Sequence, residues 1–368
     1  MNKNTDHLSI GIIGAGGFAF FAAKAFLKVR GITISFVADI DPDLAAHFAK
    51  EVNAQACSEE QLYDSQVDLV YIATPPYVHY SQSKKALEAG KHVICEKPAA
   101  LHTSEAEELA GYAADHDLLY TVNLMQRYNP LYNAVTHIIQ EKWLGEFVHG
   151  YFENYASDEK LTPDHWFWER EKSGGIFIEH GVHFFDMFEG WFGKGNLLHS
   201  FEISRNEKVV DKVQAVVLYG NSPVNFYHGF NQPKLLDRQE MRLQFDRGDI
   251  TLYEWVPVMI RMHGLFTSSQ LENLYSVFPG ASIEILSEHA ELQKVTGKFF
   301  EIGFNIKATI TSGNLDDKMD RYEQLVISMI TDQWDWIKDR NHIRVIDQTN
   351  AVESLRIAEE ATVKAEHL

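Results

Sequence analysis

The sequence predicts an α/β protein in two parts: a doubly wound parallel sheet, then an α+β domain with an open, mostly antiparallel sheet. Three observations carry this reading. A glycine-rich turn near the amino terminus joins an apolar strand directly to a helical pattern. Short apolar strands then alternate with helical stretches as far as about residue 125, the rhythm of βαβ units. Beyond that point strand follows strand, with turn residues between them. At 368 residues the chain exceeds the size at which one core usually stops growing, so two domains are expected, residues 1–125 and 126–368.

The first strand, Leu8 to Ile13, runs into Gly14-Ala15-Gly16-Gly17-Phe18-Ala19, and the apolar spacing of Ala22, Ala23, Phe26 and Leu27 starts a helix at once. This is the dinucleotide fingerprint in its strand-turn-helix setting, so the first part is expected to be a Rossmann domain. Gly14 permits the tight turn, Gly16 lets the backbone approach a diphosphate, and the helix amino terminus offers N–H groups to it. A second strand, Thr33 to Ala38, ends at Asp39, 20 positions after Ala19, where a carboxylate accepts the hydrogen bonds of a ribose diol. Ile40 and Asp41 bring no guanidinium for a 2′-phosphate, and a second acid repels one. The expected cofactor is therefore NAD rather than NADP.

Asp68 to Ala73 reads as the next buried strand, Tyr80 to Ala89 as a helix closed by Gly90, and His92 to Cys95 as another strand. Thr74-Pro75-Pro76-Tyr77-Val78-His79 and Glu96-Lys97-Pro98 thus both leave the sheet at its carboxyl edge, where ligands of doubly wound sheets bind. Candidate cofactor contacts are Gly14, Gly16, Gly17 and Phe18 in the turn, then Asp39, Thr74, Pro75, His79, Glu96 and Lys97. Thr103 is expected to cap a helix to about His116, with Glu105, Glu107 and Glu108 near its positive end, and Leu119 to Leu124 closes the sheet.

A helix from Leu131 to Glu141 leads into strands at Phe147 to Tyr155, Phe201 to Ile203, Val213 to Tyr219, Val224 to Phe230, Glu240 to Phe245 and Ile250 to Trp255. Residues 265–318 read only as mixed strand and loop. Two helical stretches, Tyr322 to Lys338 and Asn350 to Glu366, end the chain and have the length to pack back on the first domain.

The formal net charge of −19 argues against nucleic acid and against anionic membrane surfaces as partners. Two cysteines, Cys57 and Cys95, are too few for a disulfide framework, so a reducing compartment is expected. Met1 to His7 are polar, and the apolar run after them is a strand too short to be a leader or a membrane span. The expected location is the cytoplasm.

The second part carries one dense polar segment, Ser173-Gly174-Gly175-Ile176-Phe177-Ile178-Glu179-His180-Gly181-Val182-His183-Phe184-Phe185-Asp186. If a helix runs from about Glu179, then Glu179 and His183 share a face, as a carboxylate must to orient an imidazole, and His183 becomes a candidate general base. Two plainer readings stand beside this one. His183 is a core histidine among Phe184 and Phe185, or His180, His183 and an acid converge on a metal, for which no second ligand group at a diagnostic spacing exists. No metal is therefore expected. Arg127, Tyr128, His165 and Trp166, with Trp168, are candidates to line a cleft, since aromatic faces and hydrogen-bonding heads suit sugar rings.

Taken together, the glycine fingerprint, the Thr-Pro-Pro-x-x-His segment, the Gly-Lys-His-Val-x-x-Glu-Lys-Pro segment and the Gly-Gly-x-x-x-acid-x-Gly-x-His-x-x-Asp segment resemble the Gfo/Idh/MocA oxidoreductases over nearly the whole chain. The resemblance implies a Rossmann domain followed by an open-faced sheet that commonly mediates oligomers, here a homodimer or homotetramer. By position Lys97 matches that family's active-site lysine, Glu179 its catalytic aspartate and His183 its catalytic histidine. Glu179 is one methylene longer than the usual aspartate, and His180 stands where an aliphatic residue is common.

Oxidising a secondary alcohol requires a hydride acceptor, a base for the hydroxyl proton and a cation near the oxygen. NAD, His183 and Lys97 fill these roles in the expected function: hydride transfer between nicotinamide and a secondary alcohol of a sugar, inositol or related polyol. The resemblance also covers NAD-dependent glycoside hydrolases without net redox and catalytically silent sensors of sugar and cofactor. His180 is carried as a substrate-binding candidate beside His183.

Overall fold

The computed structural model describes residues 6–206, 209–297 and 300–368. The polar stretch expected from Met1 lies outside the described residues as far as residue 5. The chain forms two compact units, each discontinuous in sequence: Met1–Tyr128, Pro163–Asp186 and Tyr322–Lys364 make the first, and Asn129–Thr162, Met187–Arg321 and Ala365–Leu368 the second.

The first unit is built on six parallel strands: β1 Leu8–Ile13, β2 Ile32–Ala38, β3 Gln55–Cys57, β4 Leu69–Ile72, β5 His92–Cys95 and β6 Tyr120–Val122. Their order, β3-β2-β1-β4-β5-β6, is the Rossmann order. It reverses between β1 and β4, and in doubly wound sheets ligands bind at the carboxyl edge of that switch point. β4 and β5 are buried at every residue, as continuous apolar runs covered on both faces must be. The crossovers are α1 Gly17–Phe26, α2 Pro42–Glu51, α3 Glu59–Asp64, α4 His79–Glu88 and α5 Thr103–Asp115. Asp41 caps α2 by accepting from Asp43 and Leu44 N–H, and Ser58 forms a capping box with Gln61 at α3.

The expected Thr103 cap is corrected. His102 precedes α5 and its N–H meets the Glu105 carboxylate, while Thr103 Oγ1 donates to Glu359 at 2.6 Å. Glu359 lies on the carboxyl-terminal helix Gln348–Val363, which therefore packs on α5. Phe18 stacks at 5.7 Å on Tyr322 of the helix Lys318–Lys338.

The second unit holds a ten-stranded sheet: β7 Phe147–Ser157, β8 Gly195–Asn206, β9 Val209–Tyr219, β10 Ser222–Gln232, β11 Arg238–Phe245, β12 Gly248–Tyr253, β13 Met259–Phe266, β14 Ser282–Thr296, β15 Glu301–Gly313 and β16 Glu366–His367. The order is β14-β15-β13-β12-β11-β7-β10-β9-β8-β16. β7 with β10 and β8 with β16 pair parallel, and the other pairs are antiparallel. Strict alternation along β9 and β11 buries Val213, Ala215, Val217, Met241 and Leu243 on one face.

Residues 265–318 are more regular than their sequence pattern. They contain the end of β13, a helix Ser268–Val277 with a Thr267–Gln270 capping box, and the long β14–β15 hairpin. β14 is exposed along most of its length, so it lacks the apolar alternation that marks a half-buried strand. β8 is likewise longer than the expected Phe201 to Ile203. Glu366, expected in the last helix, instead pairs with Phe201 in β16.

Candidate active site

Gly14 adopts φ +97, and a Cβ there would lie 2.6 Å from the Ala73 carbonyl oxygen, so the turn between β1 and α1 requires glycine. A Cβ on Gly16 or Gly17 would meet nothing within 4 Å. The space above the turn is open, and α1 begins with no side-chain cap and no acid in its first turn. Its amino-terminal N–H groups are therefore left without a side-chain acceptor, the arrangement that receives phosphates at such helix ends. Asp39 reaches back to this turn, its Oδ2 accepting from Ala15 N–H at 2.6 Å and its Oδ1 from Asp41 N–H at 2.9 Å. Each oxygen keeps a lone pair for a ribose hydroxyl.

At the carboxyl ends of β4 and β5, Thr74 Oγ1 donates to Gln82 Oε1 at 2.6 Å, and Gln82 Nε2 donates to Glu59 at 2.7 Å. Pro75 is half-buried beside Thr74. His79 is fully buried between the Thr74 and Pro98 carbonyl oxygens. Glu96 accepts from Tyr71 Oη and, at 2.8 Å, from Asn123 Nδ2, and burial holds its carboxyl above the ordinary carboxylate range. Tyr71 and Asn123 were not among the sequence candidates. Their signal was position, since Tyr71 lies near the end of β4 and Asn123 directly follows β6.

Lys97 Nζ donates to Glu179 Oε1 at 2.6 Å and to the Glu179 backbone oxygen at 2.7 Å. The side chains are 19% and 14% exposed, so the pair is shielded without being sealed from solvent. The segment that carries Glu179 differs from the expected α-helix. Phe177–Gly181 form a π turn, and the α-helix proper runs Val182–Phe192. A π turn widens the backbone ladder and often marks a functional segment. The Glu179 carboxylate, expected to orient His183, engages Lys97 in this segment. His183 is 5% exposed, and its pKa is pulled down to about 3, first by burial and then by the Lys97 charge. It stands neutral at neutral pH.

The remaining candidates occupy the same unit. Arg127 grips Asp186 in a two-point ion pair, at 2.7 Å through Nε and 2.9 Å through Nη2, and Asn350 adds a contact to Asp186 at 3.4 Å. Asp186 lies on the helix that begins with Val182 and His183, so Arg127 is placed to anchor that helix. Tyr128 Oη donates to Asp332 at 2.6 Å. His165 Nδ1 accepts from Phe167 N–H and its ring lies 5.2 Å from Trp166. His180 is half-buried, with its ring 5.3 Å from Phe184. Among the described residues no group of three His, Cys, Asp or Glu side chains is arranged to hold a metal ion.

A Rossmann switch point, an open glycine turn with an acid at the end of the second strand and a lysine–carboxylate pair at the sheet edge define a dinucleotide-binding protein of the oxidoreductase class. Residues 8–124 match the family model described as oxidoreductase family, NAD-binding Rossmann fold, and residues 132–251 match the GFO/IDH/MocA C-terminal domain. The chain belongs to the Gfo/Idh/MocA oxidoreductase family.

An oxidoreductase of Formosa agariphila is 26% identical over 72% of this chain and 85% of its own length. The scyllo-inositol 2-dehydrogenase (NAD(+)) of Bacillus subtilis is 28% identical over 48% of this chain and 51% of its own. Several other curated relatives are likewise matched over about half their length. Among solved structures, a levoglucosan dehydrogenase in complex with NADH and L-sorbose superposes with a TM-score of 0.76 at 16% identity, covering 98% of this chain and 96% of that one. A 3-ketoreductase from Actinomadura kijaniata in complex with NADP and TDP-benzene gives 0.75 at 16%, covering 98% and 99%. These two likenesses are of fold. Among the described residues no helix is long and apolar enough to cross a membrane.

Proposed function

We propose that the protein is an NAD-dependent dehydrogenase acting on a secondary alcohol of a sugar, inositol or related polyol. The observation that carries the reading is the Lys97–Glu179 pair beside a neutral His183 at the carboxyl edge of a Rossmann sheet. Gly14, Gly16, Gly17 and Phe18 would hold the cofactor's diphosphate end, Asp39 its ribose, and Thr74, Pro75, His79 and Glu96 would shape the edge beside it. When bound, the nicotinamide supplies a hydride acceptor, or a donor in the reverse direction. Lys97 then presents a fixed positive charge to the substrate oxygen, favouring the carbonyl it becomes. His183, neutral at working pH, takes the hydroxyl proton. Glu179 keeps the ammonium in place.

The preference for NAD over NADP rests on Asp39 and Asp41, whose carboxylates leave no cationic partner for a 2′-phosphate. The division of labour between residues 1–125 for cofactor and 126–368 for substrate and assembly belongs to the same proposal. So do cytoplasmic location, favoured by two free cysteines, and a homodimer or homotetramer. An assembly is supported by the half-exposed face of the large sheet, where Tyr151, Tyr155, Tyr227, Arg238 and Arg242 gather.

A screen over polyols, inositols and aldoses tests the reading. NADH should accumulate with at least one substrate class, and Asp39→Ala should weaken NAD binding while relieving the repulsion of NADP. Sugar release at constant NADH would replace this reading by glycoside cleavage, and binding without turnover would replace it by a sensor. Equal binding of NAD and NADP by the unmodified protein would refute the cofactor preference.

A further inference from the structure

His79 opens α4 and is 0% exposed. Its Nδ1 lies 2.7 Å from the Pro98 carbonyl oxygen and its Nε2 lies 2.7 Å from the Thr74 carbonyl oxygen. A carbonyl oxygen only accepts hydrogen bonds. A neutral imidazole owns one N–H and one bare lone pair, so it satisfies one of these oxygens and turns its lone pair on the other. At 2.7 Å, inside the protein, that is a repulsive contact. The same distance is ordinary for an N–H···O bond from a charged donor.

The charged groups that face the ring are Lys97 and Glu179. Burial draws the imidazole pKa down and Lys97 adds to this, while the two carbonyls and the Glu179 carboxylate oppose it. The balance of these pulls is downward, toward the neutral ring. The geometry decides otherwise, because only the doubly protonated ring turns both contacts into bonds.

We infer that His79 is a protonated brace between the two loops at the sheet's carboxyl edge, and through them a positioning residue for Lys97. Thr74 leaves β4, and Pro98 directly follows Lys97 after β5. Pinning both carbonyls to one ring holds the backbone on which Lys97 stands. The inference rests on the proposed role of Lys97 beside the reacting oxygen.

The test is the protonation state of His79 in the full-length protein labelled with ¹⁵N-histidine, its signals assigned by their loss in His79→Gln. Both ring nitrogens should carry protons at about pH 7. Above the ring's own titration, kcat should fall by about 10-fold or more while KM for NAD changes little. His79→Gln, whose amide offers two N–H donors, should keep kcat within about 10-fold and lose that pH limb, whereas His79→Leu should cost about 100-fold. A ring with one bare nitrogen at neutral pH, a kcat that is flat through the ring's titration, or equal losses in the two variants would each overturn the brace. Where His79→Leu fails to fold, the protonation state of the unmodified protein still decides. Failure of the Lys97 role would appear separately, as ordinary turnover in Lys97→Ala with His79 still protonated.

Discussion

Lys97 has three N–H donors, and Glu179 takes two of them, one with its side chain and one with its backbone. In the proposed mechanism the third serves the substrate oxygen. Lys97→Ala should therefore lower kcat by a factor of about 10² to 10⁴ and leave NAD binding nearly intact, as isothermal titration and steady-state rates would show. Ordinary turnover in that variant would remove Lys97 from the mechanism. His183 and His180 are separable by the same reasoning. His183→Ala should abolish most activity, and in the unmodified protein any acidic limb due to His183 should lie far below the ordinary imidazole range, since its pKa is pulled down to about 3. His180→Ala should alter KM more than kcat. The reverse pattern would mean that the longer Glu179 has moved the base to His180.

At the scale of elements, the β1–α1 turn depends on a single backbone conformation. Gly14→Ala would push a methyl to within 2.6 Å of the Ala73 carbonyl oxygen at a φ of +97. The strained turn should cost about 1–3 kcal/mol of stability and weaken NAD binding more than Lys97→Ala does. A Gly14→Ala protein with unchanged melting temperature and unchanged NAD affinity would contradict this account of the turn. The π turn at Phe177–Gly181 was not legible beforehand. Its residues suit an α-helix equally well, so local propensity gives no sign of it. The helix Ser268–Val277 carried its signature openly, in the Thr267–Gln270 box, yet it leads into the exposed strand β14, whose pattern gave no frame for it.

Across the whole molecule, two buried histidines tie folding to pH. His183 and His228 are 5% and 0% exposed, and burial pulls both to about 3, against about 6.5 in the unfolded chain. Between those values the unfolded state binds more protons than the folded one, so stability rises with pH there. It is fully present above the unfolded pKa and is lost as pH falls toward the folded one. At about pH 5 each ring should have cost about 2 kcal/mol. Melting temperature should therefore drop between neutral pH and pH 5, and His228→Asn should flatten that drop when its own curve is compared across the same range. Parallel curves for the two proteins would show that His228 does not contribute. Glu96, whose carboxyl is held high by burial, pulls in the opposite direction, and the difference between variants cancels it.

The Rossmann half was readable because its signals are local. A glycine turn, an acid after the second strand and a lysine past the fifth strand each follow from neighbours in sequence, and the parallel direction of the strands follows from βα alternation. The pairing of Lys97 with Glu179, 82 residues apart, was beyond such signals. So were the burial that neutralises His183, the anchoring of Arg127 by Asp186 and the return of Glu366 to pair with Phe201. These depend on which surfaces the chain removes from water and on contacts between distant segments, and only the tertiary structure decides that.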